Sequence, residues 1–193
     1  MRINLVLLLF YIFSPAFSFG KHKIKNSVHD SVRISIGSEI YYPTPPASIS
    51  RLFYVQRTPN SNTIVYDLNI ASNGKPDIKD PVKVYWIKYA ENGQKEELNF
   101  IQRKFAYGLT SKVLKNDNYD IRFVSYKKFP LTLMKSTDGK YHIFATIAHK
   151  QAILNRIFIK IEGGSFWLPN VLYVEVSGAD PITGREIVER FKP

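Results

Sequence analysis

Pairs of turn-forming residues punctuate this chain from residue 73 onward, and they constrain its fold more than any other feature. There are five such pairs: Asn73-Gly74, Asn92-Gly93, Asp138-Gly139, Gly163-Gly164 and Thr183-Gly184. The Asn-Gly and Asp-Gly pairs suit type I′ turns, because both central residues of such a turn need positive φ. Short apolar or alternating runs separate the pairs, which is typical of strands joined by hairpins. The sequence therefore predicts an antiparallel meander.

Ten strands are predicted between and around these turns. Aromatic residues make up 14% of the chain and favour strands over helices. A helix is an alternative only over 148–157, although the overlapping run "QAILNRIFIKIE" alternates at period two rather than 3.6. The predicted strands cover residues 52–57, 63–70, 82–90, 96–107, 119–126, 130–135, 140–148, 154–161, 171–177 and 186–191.

A succession of short strands leaves two architectures. We predict an all-β fold in which an antiparallel meander closes into a barrel or a strongly curled sheet. The turns are short and regular, and a closed sheet hides its edges from other chains. The alternative is a two-sheet β-sandwich.

The first twenty residues, "MRINLVLLLFYIFSPAFSFG", have the layout of a secretory signal peptide, with Arg2, an apolar run, and small residues at Ala16 and Ser18. An uncleaved anchor is the alternative, but the run is far shorter than the roughly 20 residues that a span needs. We predict a signal peptide at 1–18, a basic arm and Pro-rich connector at 19–50, and a single β domain at 51–193. The chain has no cysteine, which excludes disulfides and lipidation of a cysteine. We therefore expect a periplasmic or secreted protein.

The charge of the chain is strongly positive, with 27 Lys and Arg against 16 Asp and Glu, a formal net charge of +11. Such an excess attracts anionic partners through its summed field. For an exported protein we expect anionic lipid or a small amphipathic acid, with peripheral contact to a membrane, and no nucleic acid. A basic surface that is merely solvated is the alternative. The sequence predicts no particular oligomeric state.

Two arginines fall on apolar faces of predicted strands, since successive side chains of a strand point to opposite faces. Arg57 shares a face with Phe53 and Val55, and Arg103 shares one with Tyr107. The planar fork of a guanidinium group suits two-point contact with carboxylate or phosphate. We therefore predict that Arg57 and Arg103 hold the acid group of a ligand. The alternative is that both lie at strand ends and keep their charged heads in water.

Aromatic residues near these arginines are the predicted walls or rim of the site, namely Tyr54, Tyr107 and Trp86. Asn60 and Asn62 lie in the bend "RTPNSN" and complete the predicted ligand-binding set. The alternative is that both asparagines only stabilise the turn, since Asn accepts positive φ and bonds to nearby backbone.

No residue pattern indicates catalysis, a metal site or a cofactor. His142 and His149 lie seven positions apart on one predicted strand, so they face opposite sides, about 23 Å apart along it. The sequence has no H-E-x-x-H, no G-x-S-x-G and no phosphate-binding loop. We expect no catalytic residue, no metal and no cofactor, with carboxylates brought together only by folding as the open alternative.

Four segments in this order, "LFYVQRTPNSNTIVYDLN", "PVKVYWI", "IQRKFAYGL" and "VLYVEVSGADPITG", resemble one bacterial family, known as domain of unknown function 4833. The resemblance covers residues 52–188. It implies exported proteins, often of the Bacteroidetes lineage, with no established activity. It implies no catalytic residues that could be transferred to this chain.

The function predicted from these features is that of an exported, noncatalytic envelope protein that binds an anionic amphipathic ligand, such as a lipid or a fatty-acid-like molecule. One alternative is an envelope interaction module that docks on anionic lipid or on a partner protein. The other is an enzyme that acts on a cell-envelope polymer.

Overall fold

The computed structural model of the protein describes residues 41–164 and 169–193. The predicted signal peptide at 1–18 and the arm up to residue 40 lie outside the described residues. Residues 41–48 have no regular secondary structure and lead into the first strand. Within them the Pro43 carbonyl accepts a hydrogen bond from the Gln56 side chain at 2.8 Å, which ties the connector to the sheet.

Eleven strands make up the described fold, with only two short helical turns between them. The helical turns are a 3-10 turn at Tyr89–Glu91 and a π-helical turn at Gln102–Ala106. No helix in the described ranges is long and apolar enough to cross a membrane. The strands are β1 Arg51–Arg57, β2 Asn60–Leu68, β3 Val82–Lys88, β4 Gln94–Glu97, β5 Leu109–Val113, β6 Tyr119–Phe123, β7 Leu131–Lys135, β8 Tyr141–Ile147, β9 Lys150–Gly164, β10 Pro169–Ala179 and β11 Glu186–Phe191.

The strands form one sheet that is organised around β9. The order β4-β3-β2-β1 forms one wing and β8-β7-β6-β5 the other, and all pairs within the wings are antiparallel. Strand β10 runs along one edge of β9. On its other edge β9 pairs first with β8 and then, in parallel, with β1. The turn-forming residues predicted antiparallel hairpins. No turn between neighbouring strands indicates the parallel pairing of β1 with β9, because the two strands are far apart in sequence.

The strand β9 bends where it passes from β8 to β1. Ser177 and Gly178 of β10 pair with Arg156 and Leu154, so Asn155 is an extra residue, a β-bulge that increases local twist. A Cβ at Gly178 would lie 2.4 Å from the Ile153 carbonyl oxygen, so only glycine fits opposite the bulge. The bend lets the two wings fold towards each other.

The sheet curls into a half-barrel, as the all-β, strongly curled prediction requires. Tyr66 on β2 and Phe123 on β6 belong to different wings, yet their ring centroids are only 5.9 Å apart. Phe53 on β1 stacks against Tyr66 at 4.2 Å, and its ring lies 6.1 Å from that of Phe123. The core therefore lies inside the curl, between the two wings.

The strand predicted at 96–107 is wrong beyond Glu97. The side chains of Asn99 and Gln102 bond to each other's backbone N–H groups, at 2.9 and 3.1 Å, and so close a turn. Gln102 also accepts a hydrogen bond from the Trp86 indole at 3.4 Å. Strand β5 was not predicted because "LTSKV" is short and mostly polar. Residues 150–157 belong to β9, so the alternative helix at 148–157 is also wrong.

Only some of the predicted turn pairs have positive φ at both positions, and one hairpin without Gly has it too. Asn92 and Gly93 have φ of 64° and 72°, as predicted, but Asn73 and Asp138 are not in the left-handed region. In the β8–β9 hairpin, Ala148 and His149 take φ of 48° and 62° between the paired residues at either side. An alanine in this region crowds its Cβ against the backbone.

Replacing Ala148 by Asn and His149 by Gly should raise the free energy of unfolding by about 1 kcal/mol, because Asn-Gly suits both positive-φ positions. The hydrogen bond from the Ala148 N–H to the Glu189 carboxylate, 2.7 Å long, uses only backbone at this position and survives the change. Urea unfolding measures the gain as a higher midpoint at an unchanged slope. A midpoint equal to or below that of the parent protein would contradict the prediction.

Candidate functional site

A groove opens from the core on the inner side of the sheet. All of its lining residues are apolar or aromatic, and its volume is about 60 Å³. The strands that contribute to it are β1 and β2 from one wing, β6 from the other, and β9, β10 and β11. Its lining includes Val55, Tyr66, Ile157, Ile159, Val174 and Phe191.

Arg57 lies two residues beyond the groove residue Val55 along β1. Val55 pairs with Ile157 and Arg57 pairs with Ile159, in an unbroken parallel register. Since side chains two positions apart share a face, Arg57 lies on the same face as the groove residue Val55. Its guanidinium group lies near the hydroxyl of Tyr107, which also lines the groove.

The Tyr107 hydroxyl stays neutral in this position. Burial raises its pKa, and the nearby guanidinium of Arg57 only partly opposes that effect. Burial likewise raises the pKa of Tyr66, whose hydroxyl donates to the Tyr107 carbonyl at 2.9 Å. Neither phenol therefore ionises near neutral pH.

Three of the predicted site residues come together here. The edge of the Trp86 ring contacts Tyr107, with centroids 5.0 Å apart and planes at 82°. Arg57, Tyr107 and Trp86 therefore form a chain of contacts from the groove into the core. Both aromatic rings are almost fully buried, but only Tyr107 lines the groove, and Trp86 packs against it from the core.

Arg103 has different surroundings. It lies in the π-helical turn rather than on a strand, so the alternation that placed it beside Tyr107 does not apply. Its side chain is half exposed and its Nη2 lies 3.3 Å from a Glu97 oxygen. It borders a second small cleft, with Asp80 and Ser111, and does not line the groove beside Arg57.

The remaining predicted residues lie outside the groove. Tyr54 points to the opposite face of β1 from Val55, at a position that pairs with Arg156. Asn60 accepts a hydrogen bond from the Asn62 N–H at 2.7 Å, and Asn62 accepts one from the Ala90 N–H at 3.0 Å. These bonds give both asparagines a role in the turn structure.

Most groove residues were not predicted, and about half of them come from β9, β10 and β11. Ile157 and Ile159, like Val174 and Val176, recur at period two, which identifies one apolar face of each strand. Period two does not say which strands share an opening or where the interior is left unfilled. That depends on how β10 and β11 pack over the curl.

Several ionisable side chains elsewhere are held in ion pairs. The Asp67 carboxylate accepts from Arg51 Nε at 2.6 Å and from the Tyr85 hydroxyl at 2.8 Å. His142 lies 2.9 Å from Asp138. Within residues 41–164 and 169–193, no three His, Asp or Glu side chains come together in a way that could hold a metal ion.

Comparison with known proteins gives one match. No curated protein and no solved structure matches the chain. The model of the family described as Domain of unknown function (DUF4833) matches residues 53–190, from the third residue of β1 to the penultimate residue of β11. Because the match covers well over half of the sequence, this chain belongs to the DUF4833 family.

Proposed function

We propose that this protein is an exported, noncatalytic envelope protein that binds an anionic amphipathic molecule. The groove takes the apolar end of the ligand, and Arg57 holds its acid group. The observation that carries the proposal is the position of Arg57, on the same face of β1 as the groove residue Val55 and near the hydroxyl of the groove residue Tyr107. The planar fork of a guanidinium group suits two-point contact with a carboxylate or phosphate.

The size of the groove narrows the ligand class. Sites that enclose a whole small molecule usually have volumes of roughly 300–1,000 Å³, whereas this groove has about 60 Å³. It therefore suits the end of a chain or a short branched group. A long acyl chain would extend beyond the groove unless the half-buried rings of Tyr126, Phe129 and Phe191 moved. Fatty-acid-like molecules with a short inserted portion fit best.

The test is a calorimetric titration, in which octanoate is added to the exported protein and the heat of binding is measured. The groove-filling variant Val174→Phe should weaken binding about tenfold, because Val174 lies between the groove residues Ile159 and Phe191 in the sheet. Arg57→Gln should weaken it by a similar factor through loss of a charge-assisted hydrogen bond. Native mass spectrometry of protein from its own host should show a small acid bound.

Arg103→Gln is the matched control, since it removes the same charge from a side chain that borders a different cleft. It should leave octanoate affinity unchanged. Failure of the parent protein to bind octanoate would overturn the proposal. So would equal losses in Arg57→Gln and Arg103→Gln, which would indicate a general charge effect. Val174→Phe tests the groove without touching Arg57, in case Arg57→Gln disturbs Tyr107.

A further inference from the structure

Bulky apolar side chains are exposed on the segment 99–106, which we name the aromatic turn. Phe100 is 71% exposed, Ile101 52% and Phe105 39%. None of them lines the groove. Single exposed apolar residues are ordinary, but a contiguous group of this kind marks a contact surface.

Buried residues and hydrogen bonds fix the aromatic turn to the rest of the domain. Gln102 and Ala106 are buried, and the Tyr107 N–H donates to the Gln102 carbonyl at 2.8 Å. The Gln102 side chain accepts from the Trp86 indole and from the Asn99 N–H. The buried side of the turn is thus fixed to β3, and its other side projects Phe100, Ile101 and Phe105 outward.

Cations accompany the exposed rings. The Lys104 ammonium lies 5.3 Å from the Phe100 centroid and 5.4 Å from that of Phe105. Arg103 contacts Glu97 at 3.3 Å with both side chains exposed, a pairing that is weak in water. The neighbouring Glu96 is engaged by Lys88 at 3.4 Å. The projecting side of the turn therefore combines apolar insertion groups with cations at their base.

We propose that the aromatic turn docks the protein on an anionic lipid bilayer. Phe100, Ile101 and Phe105 enter the boundary between headgroups and acyl chains, where amphipathic protein segments bury their apolar faces. Lys104 extends its stem along the rings and places its ammonium at the lipid phosphates. The formal net charge of +11 attracts the whole protein to such a surface.

The test is sedimentation of the exported protein with vesicles of phosphatidylcholine alone or mixed with phosphatidylglycerol. Mass spectrometry first establishes where the purified chain begins, so that the apolar N-terminal run cannot account for binding. We expect binding to the anionic vesicles that weakens with added salt. The double variant F100S/F105S and the variant Lys104→Glu should each reduce the partition coefficient about tenfold.

Matched controls use equally exposed residues elsewhere. Ile182 is 90% exposed in the β10–β11 turn and Lys140 is exposed in the β7–β8 turn, so Ile182→Ser and Lys140→Glu should bind vesicles like the parent protein. Equal binding to neutral and anionic vesicles, or equal losses in the controls, would overturn the proposal. Failure to bind both kinds of vesicle would also overturn it. F100S/F105S should retain octanoate affinity, which separates failure of this docking surface from failure of the groove.

Discussion

Replacing Gly108 by alanine is expected to lower the free energy of unfolding by about 3 kcal/mol, one of the largest single effects in this chain. A Cβ at this position would lie 1.8 Å from the Arg103 carbonyl oxygen and 2.8 Å from its carbonyl carbon. Both are backbone atoms of the π-helical turn, so no side-chain rotation can relieve the overlap. The turn would have to open, and with it the support for Tyr107 and the aromatic turn.

Urea unfolding measures the effect, and Gly139→Ala is the control. Gly139 has φ of 76° but has nothing within 4 Å of its would-be Cβ. Its replacement should cost only about 1 to 2 kcal/mol, from backbone strain alone. If the aromatic turn docks on lipid, Gly108→Ala should also lose vesicle binding under conditions where it remains folded. A loss of stability no larger than that of Gly139→Ala would show that the turn yields easily.

Replacing Phe53 by alanine should lower the free energy of unfolding by about 3 to 5 kcal/mol, because it empties a fully buried position. The Phe53 ring lies almost parallel to that of Tyr66, with 6° between the planes, and contacts Phe123 from the other wing edge-on. Its removal leaves a cavity at the point where the two wings of the curled sheet meet.

The conservative variant Phe53→Leu keeps most of the volume and should lose roughly half as much stability. The two variants are compared by thermal unfolding and by octanoate titration. Because Tyr66 lines the groove, Phe53→Ala should also weaken octanoate binding, while Phe53→Leu should change it less. Equal stability losses in the two variants would mean that the site collapses without a cavity and that the stacked rings contribute little.

The two arginines chosen from alternation differ in whether a strand forms around them. Arg57 is the last residue of β1, and it pairs with β9 in the same unbroken register as Val55, although the pairing of β1 with β2 is irregular between these two positions. Arg103 follows an equally regular alternation, but Asn99 and Gln102 bond to each other's backbone and close a turn instead. The donor that anchors Gln102 is the indole of Trp86, on another strand. An alternating pattern within one segment does not show which hydrogen-bonding partner a distant strand will supply after folding.

What the sequence by itself determined is the all-β class, the position of most strands and the apolar face of β1, because these depend on side-chain alternation and turn-forming residues next to each other in the chain. Only the tertiary structure decided the parallel pairing of β1 with β9, the bend at Asn155 and the groove beside Arg57. Each of these joins residues that are distant in sequence. Their geometry depends on how two wings of a sheet pack around a shared core, which no local pattern encodes.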